Sequence, residues 1–212
     1  VHDVGMRDGR PFIVSECIDG VTLRTWLEGT NASFVQIARL AATLSRAIAY
    51  AHSMGVVHRD IKPSNVVVDD RDEPHVLDFG LSRSRSSGEA ALFRDSVPFG
   101  TPAYMSPEQA LGDADSIGKC SDVYALGVVL YQMLTRRLPF VGSPRRIFDL
   151  IVNEEPVRPR SLEPRVPASL EAIALKAMQK AIDRRYESAD ALADDLDRFL
   201  DGRPVAALGR HD

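Results

Sequence analysis

Two polar clusters, whose aspartates stand eighteen residues apart, constrain this chain more than any other feature. The first is His58-Arg59-Asp60-Ile61-Lys62-Pro63-Ser64-Asn65; the second is Asp78-Phe79-Gly80. Short β-branched pieces, Val56-Val57, Val66-Val68 and Val76-Leu77, accompany them, so the polar groups are expected near strand ends. A long helix is expected ahead of them, from Ser33 to about Met54. Its apolar residues Ile37, Leu40, Ala41, Leu44, Ile48 and Ala51 recur at helical spacing. Ser33 and Gln36 form a capping-box pattern at its start, and Gly55 stops it.

The remaining elements follow from the same periodicities. Pro11 to Ile18 reads as a buried strand, and a short helix follows from Thr22 to about Leu27. Ser121 to Arg136 is apolar enough to be buried all round. Pro144 to Asn153 reads as an amphipathic helix. Leu170 to Lys180 and Ser188 to Leu200 read as closing helices, with Ser188 as N-cap and Asp190 favourable in the first turn. Gly202 to Asp212 reads as a frayed tail. From Gly80 to Thr101 no period is visible, and a stretch of that length within a domain is usually functional.

Composition narrows the classes further. With 212 residues, 44% hydrophobic and 26% charged, the chain reads as a soluble globular protein. Disordered, collagen-like and disulfide-scaffold classes are excluded. A net charge of -4 offers no general basic field for nucleic acid. The Arg83 to Ser87 run is short and lacks interleaved aromatics, so it does not read as an RNA site. Cys17 and Cys120 match no metal or redox spacing and read as free thiols in a reducing cytoplasm. The longest apolar run, Ala125 to Leu134, is too short to span a bilayer, and no signal peptide is visible.

The clusters define a chemistry. Two carboxylates and an amide offer hard oxygen ligands to Mg²⁺, which binds substrate phosphates alongside one or two carboxylates. Lys62 supplies positive charge for a transferring phosphoryl group. A carboxylate free of metal can accept a hydroxyl proton and orient the oxygen for in-line attack. This inventory fits phosphoryl transfer better than hydrolysis by a metal-bound water.

At these residues the chain resembles the eukaryotic-type serine/threonine protein kinases, and more narrowly their bacterial branch. His58 to Asn65 is similar to the catalytic loop H-R-D-x-x-x-x-N, and Asp78-Phe79-Gly80 to the Mg²⁺-binding D-F-G. Gly100-Thr101-Pro102-Ala103-Tyr104-Met105-Ser106-Pro107-Glu108 resembles the end of an activation segment, with Ser106 where the family usually has Ala. Ser121 to Gly127 resembles the start of the family's central buried helix. Arg184-Arg185-Tyr186 resembles a late motif whose Arg185 would pair with Glu108; Ile182 replaces the usual proline before it.

The resemblance implies an α+β, kinase-like fold: a mainly helical C-terminal lobe with remnant strands of the N-terminal lobe. It implies Asp60 as catalytic base and Lys62 as the group that stabilises the transferred phosphoryl. Asn65 and Asp78 would hold Mg²⁺, and Thr101 would shape the acceptor site. Ser15-Glu16-Cys17-Ile18 matches the hinge that binds the adenine of ATP through backbone groups of Glu16 and Ile18, with Val67 beneath the ring. Arg59 would pair with a phosphate in the activation segment. Candidate acceptors are Ser84, Ser86, Ser87 and Ser96, and Ser96 is favoured. His58 and Asp122 are given structural roles, Asp122 as support for the catalytic-loop backbone. The partners implied are ATP and a protein substrate with a Ser or Thr acceptor. His2, His52, His75 and His211 show no pattern and are expected at the surface.

Two family parts find no match. The first lysine is Lys62, so no strand lysine precedes the hinge, and no G-x-G-x-x-G occurs. The chain begins at Val1, which suggests a missing upstream segment. Residues 1–18 are therefore expected to be a remnant of the small lobe with the hinge, 19–201 the large lobe and 202–212 a tail. The strand at Pro11 to Ile18 would present an exposed apolar edge. A chain so built is expected to be a poor kinase, because an open cleft is screened by water. Two alternatives stand beside this reading. One is a non-catalytic, pseudokinase-like binding module or relic; the other is a small-molecule phosphotransferase of the aminoglycoside type, which would lack the D-F-G and the long activation loop. Ser15 falls where the depth of the adenine pocket is set. A bulky adenine-site inhibitor is expected to bind the native sequence more tightly than Ser15→Met; equal affinities by calorimetry would refute this.

Overall fold

The structure is a computed structural model and describes residues 3–7, 10–14, 16–79 and 102–209. Ser15, Gly80, Gly100, Thr101 and the four candidate phosphate acceptors lie outside the described residues, as do His2 and His211.

β1 (Asp3–Arg7) and β2 (Arg10–Val14) form an antiparallel hairpin in which Asp3 faces Val14 and Arg7 faces Arg10. The buried strand expected at Pro11 to Ile18 is corrected on both counts. It ends at Val14, and Phe12 and Val14 are each 42% exposed, because no element among the described residues covers them. A second antiparallel sheet has the order β3 (Gly20–Thr22), β4 (Val66–Asp69), β5 (Pro74–Val76). Along β4, Val66 and Val68 are buried while Val67 and Asp69 face the other way, the period-2 signature of a one-sided sheet.

Helices supply the rest. α1 (Leu23–Gly29) is capped by the Thr22 hydroxyl, which accepts from the Thr25 amide. α2 (Phe34–Ser53) carries the capping box read from Ser33 and Gln36. It ends as Gly55 enters the left-handed region at φ 77° and the Val56 amide donates back to the Ala51 carbonyl. The strand expected at Val56-Val57 is therefore absent, since Val56 closes the helix instead. α3 (Pro107–Leu111) and α6 (Pro159–Leu162) are too short for periodicity to reveal. α4 (Lys119–Thr135) buries every residue except Lys119, Cys120 and Gln132, as its composition predicts. α5 (Pro144–Asn153) matches its expected bounds. α7 (Ala168–Ala177) stops short of Lys180, because Arg185 takes the carbonyls of Gln179 and Lys180. α8 (Ala189–Leu200) begins at the Ser188 cap. Among the described residues no helix is long and apolar enough to cross a membrane.

One main core joins α1, α2, α4, α7 and α8 through Leu23, Leu44, Ile48, Leu130, Leu170, Ile173 and Leu196. Gly127 permits the close approach of α4 to α7: a Cβ there would stand 2.7 Å from the Ala177 Cβ and 2.9 Å from the Met178 Cγ. On the rim of α2, Arg46 is gripped by Asp190, Asp194 and Asp197 of α8, three carboxylates on one helical face.

The frayed tail is also corrected. Asp195, 1% exposed, accepts the Tyr186 hydroxyl at 2.7 Å and the amides of Ala206 and Ala207 at 2.5 and 2.9 Å. Those bonds dock residues 202–208 onto the helices and bury Val205. Asp195→Ala is expected to cost about 2–3 kcal/mol in urea unfolding, because a buried hydroxyl loses its acceptor and the tail amides return to water. A loss below about 0.5 kcal/mol would show that the tail docks without this carboxylate.

Candidate active site

The first polar cluster is shaped by alternation. Ile61 is 2% exposed and anchors the loop in the core, so its neighbours Asp60 and Lys62 both project to the open side. Pro63 then starts a single 3-10 turn, Pro63–Asn65, closed by the Asn65 amide on the Lys62 carbonyl at 2.9 Å. The turn brings Asn65 back to Asp60: its Nδ2 donates to the Asp60 carbonyl at 2.9 Å and to Asp60 Oδ2 at 3.1 Å. Lys62 Nζ reaches the same Oδ2 at 2.7 Å. Asn65 is nearly buried, whereas the Asp60 side chain keeps 53% of its surface exposed. Asp60, Lys62 and Asn65 are thus in mutual contact around one carboxylate that solvent can reach.

Asp78 joins the site through the backbone. The Leu77 amide donates to the Asn65 carbonyl at 2.8 Å, and His58 Nε2 donates to the Leu77 carbonyl at 2.9 Å. The other ring nitrogen, Nδ1, accepts from the Asp60 amide at 3.2 Å, which settles the tautomer as the one protonated at Nε2. His58 therefore clamps both clusters, and Phe79 packs edge-on against its ring with centroids 5.0 Å apart. Arg59 and Asp78 both hold positive φ, 68° and 61°, without being glycine. Such strain persists only where the surroundings over-determine it.

Here Asp122, at the start of α4, supplies that constraint. Its carboxylate, 1% exposed, accepts the amides of His58 and Arg59, each at 2.8 Å, and His52 Nε2 at 2.8 Å. The surface position expected for His52 is corrected: it is 4% exposed on the inner face of α2, with Nδ1 buried and unpartnered. No motif marks it, because only the crossing of α2 and α4 brings it to Asp122. His75 sits at the sheet edge on Asp69, whose carboxyl is lowered to about 2 by the His75 side chain and the Glu73 and Arg71 amides.

The expected pair of Glu108 and Arg185 is present and buried, with contacts of 2.7 and 2.8 Å, and the Ser121 hydroxyl donates to the same carboxylate. Burial pushes the Glu108 carboxyl up, but the Arg185 guanidinium and the Ser121 hydroxyl outweigh it and hold the group below its usual range. Next to Glu108 stands Gln109, which donates to the Arg59 carbonyl at 2.8 Å. Motif matching misses Gln109, although Ser106-x-x-Gln109 is a capping-box spacing that would have flagged it. Of the residues expected at the nucleotide, Val67 lies on the face of β4 turned away from the core. Glu16 is exposed and Ile18 half-buried in the irregular segment before β3. Cys17 and Cys120 are free thiols.

Chemically, the arrangement presents an exposed carboxylate flanked by an ammonium and by an amide whose two hydrogens are committed to Asp60. The side-chain oxygen of Asn65, Oδ1, and the exposed Asp78 carboxylate are then the hard oxygens available to a divalent cation. This donor set fits Mg²⁺, which needs only one or two protein oxygens beside phosphate and water.

Two predictions follow from the supporting groups. Asp122→Ala strips three buried donors of their acceptor and is expected to cost about 3–5 kcal/mol in urea unfolding; a loss under about 1 kcal/mol would refute the anchoring role. Lys180, held on the Ile151 carbonyl at 2.6 Å, is lowered to about 8 by burial, with Arg185 adding to the effect and Glu155 opposing it. An unfolded lysine keeps its proton up to about pH 10.4, so between pH 8 and 10 the unfolded state binds more protons and stability rises with pH. Native protein should therefore gain stability over Lys180→Met across this window; parallel curves would refute the assignment.

Comparison with known proteins gives a consistent family. The family model described as protein kinase domain matches residues 1–195. The chain is 39% identical over 199 residues to the probable serine/threonine-protein kinase SCO3848 of Streptomyces coelicolor, covering 93% of this chain and 29% of that protein. It is 37% identical over 199 residues to the serine/threonine-protein kinase PknB of Mycobacterium tuberculosis, covering 93% of this chain and 32% of that protein. It is 40% identical over 198 residues to the DNA damage-responsive serine/threonine-protein kinase RqkA of Deinococcus radiodurans, covering 91% of this chain and 29% of that protein. The chain thus spans about a third or less of the length of these relatives.

Proposed function

The chain belongs to the protein kinase domain family, in its serine/threonine branch, and on that premise we propose that Asp60, Lys62, Asn65 and Asp78 carry transfer of the ATP γ-phosphoryl group to protein Ser and Thr hydroxyls. One observation carries the reading: Lys62 Nζ at 2.7 Å and Asn65 Nδ2 at 3.1 Å converge on one oxygen of Asp60, whose side chain is half exposed.

In this reading the Asp60 carboxylate accepts the proton of the acceptor hydroxyl and aims its oxygen. Lys62, beside it, places positive charge where the transferred group gains negative charge. The Asn65 side-chain Oδ1 and the Asp78 carboxylate would hold Mg²⁺, which when bound would neutralise phosphate charge and orient the leaving group. Glu16 and Ile18 offer backbone groups to the adenine, and Val67, on the face of β4 turned away from the core, lies beneath the ring. Thr101 shapes the acceptor site. Residues 1–18 act as the hinge and the last strands of the small lobe, 19–201 as the large lobe and 202–212 as a tail.

These 212 residues contain no lysine before Lys62. We therefore propose that they transfer phosphate slowly by themselves, since nothing among them supplies the phosphate-anchoring lysine of the family's small lobe. The experiment is Mg-ATP-dependent incorporation of labelled phosphate into the chain and into a Ser/Thr peptide mixture, with Asp60→Asn as comparison. The expected result is slow, Mg²⁺-dependent incorporation that falls by about 10²–10⁴-fold in Asp60→Asn, the range for loss of a positioned base. An unchanged rate in Asp60→Asn would overturn the assignment. ATP binding without any transfer would favour a non-catalytic binding module.

A further inference from the structure

We propose that Gln109 is a positioning residue for Asp60, locking the Arg59–Asp60 peptide and thereby tying the geometry of the base to the seating of α3. The proposal deepens the reading of Asp60 as the base and rests on it.

The peptide group between Arg59 and Asp60 is gripped at both ends. Its carbonyl accepts Gln109 Nε2 at 2.8 Å, and its N–H donates to His58 Nδ1 at 3.2 Å. Rotation of this plane changes the Asp60 φ, and any part of it that the Arg59 ψ does not compensate turns the Asp60 side chain relative to Lys62 and Asn65. The risk is real because Arg59 stands at φ 68°, where a residue with a Cβ is strained. The Asp122 carboxylate holds the His58 and Arg59 amides, both before this peptide in the chain, and makes no bond to the peptide itself. Among the described residues, Gln109 is the group that donates to its carbonyl.

Gln109 is itself oriented. Its Oε1 accepts the Ser106 amide at 3.0 Å and the Ser106 hydroxyl at 3.2 Å, so oxygen faces the start of α3 and nitrogen faces the loop. Ser106 is fully buried, and the neighbouring Glu108 is fastened to Arg185 and Ser121. The path runs from the buried ion pair along the backbone from Glu108 to Gln109, and then by one hydrogen bond to the Arg59 carbonyl. A carboxylate at position 109 would keep the bond to Ser106 but lose the donor to Arg59. A thioether side chain of similar length would lose both.

The test uses Gln109→Glu and Gln109→Met in the ¹⁵N-labelled chain, with water exchange of the Asp60 amide followed by NMR. This readout needs no catalysis. Both variants are expected to raise Asp60 amide exchange about five- to tenfold, the factor that one net hydrogen bond supplies. In Gln109→Glu the melting temperature should stay near native, because the cap is kept. Phosphate transfer should show a fall of similar size in kcat with KM for ATP unchanged. Asp60 exchange at the native rate in both variants overturns the proposal, whatever the stability does, and leaves Asp60 as base untouched. Raised exchange with an unchanged kcat also overturns the proposal, because the lock then does not set the geometry of the base; the reading of Asp60 as base fails only if Asp60→Asn leaves the rate unchanged.

Discussion

The carboxylate of Asp122 is the point on which the site depends. It is buried at the start of α4 and takes three donors, the His58 and Arg59 amides and the His52 ring. A buried carboxylate left short of donors is expensive, so the loop must present its amides inward. That requirement holds Arg59 at positive φ and turns its carbonyl toward α3, where Gln109 meets it. Asp60 then projects outward because Ile61 is drawn into the core. The Asp60 carboxylate faces solvent because Asp122 and Ile61 hold the loop from inside.

A second buried charge, Glu108 with Arg185, does the same work at larger scale. Arg185 also takes the carbonyls of Gln179, Lys180 and Cys120, so one guanidinium joins α3, α4 and the end of α7. Breaking either partner would leave an uncompensated charge in the interior. Together the two carboxylates brace the catalytic loop from both sides of the start of α4. The chain invests its buried polarity in orientation, while stability comes mainly from the apolar faces of α2, α4, α7 and α8.

Much of this was legible in the chain alone. The bounds of α2, α5 and α8 follow from helical period and capping residues, and all three agree within a residue or two. The pairing of Glu108 with Arg185 and the support of the loop by Asp122 follow from motif order. The contacts of Asp60 with Lys62 and Asn65 are local, within five residues, so a short loop with one proline nearly dictates them. The failures have two causes. His52 and Gln109 owe their positions to partners 70 and 50 residues away, whereas the tail docks on a nearby buried carboxylate and Val56 closes a helix where its β-propensity suggested a strand.

By itself, then, the sequence determined most element types, the family and the local contacts of Asp60 with Lys62 and Asn65, because each is written in local spacing. Only the tertiary structure decided which buried donors and acceptors meet. Asp122 with His52, Gln109 with Arg59 and Asp195 with the Ala206 and Ala207 amides are pairings between elements, or between an element and a loop. Their partners are chosen by how helices cross once their apolar faces are packed, and any exposed polar residue at those positions would have looked the same in the chain. The physical reason is that burial makes an unpaired polar group costly, and burial exists only after packing.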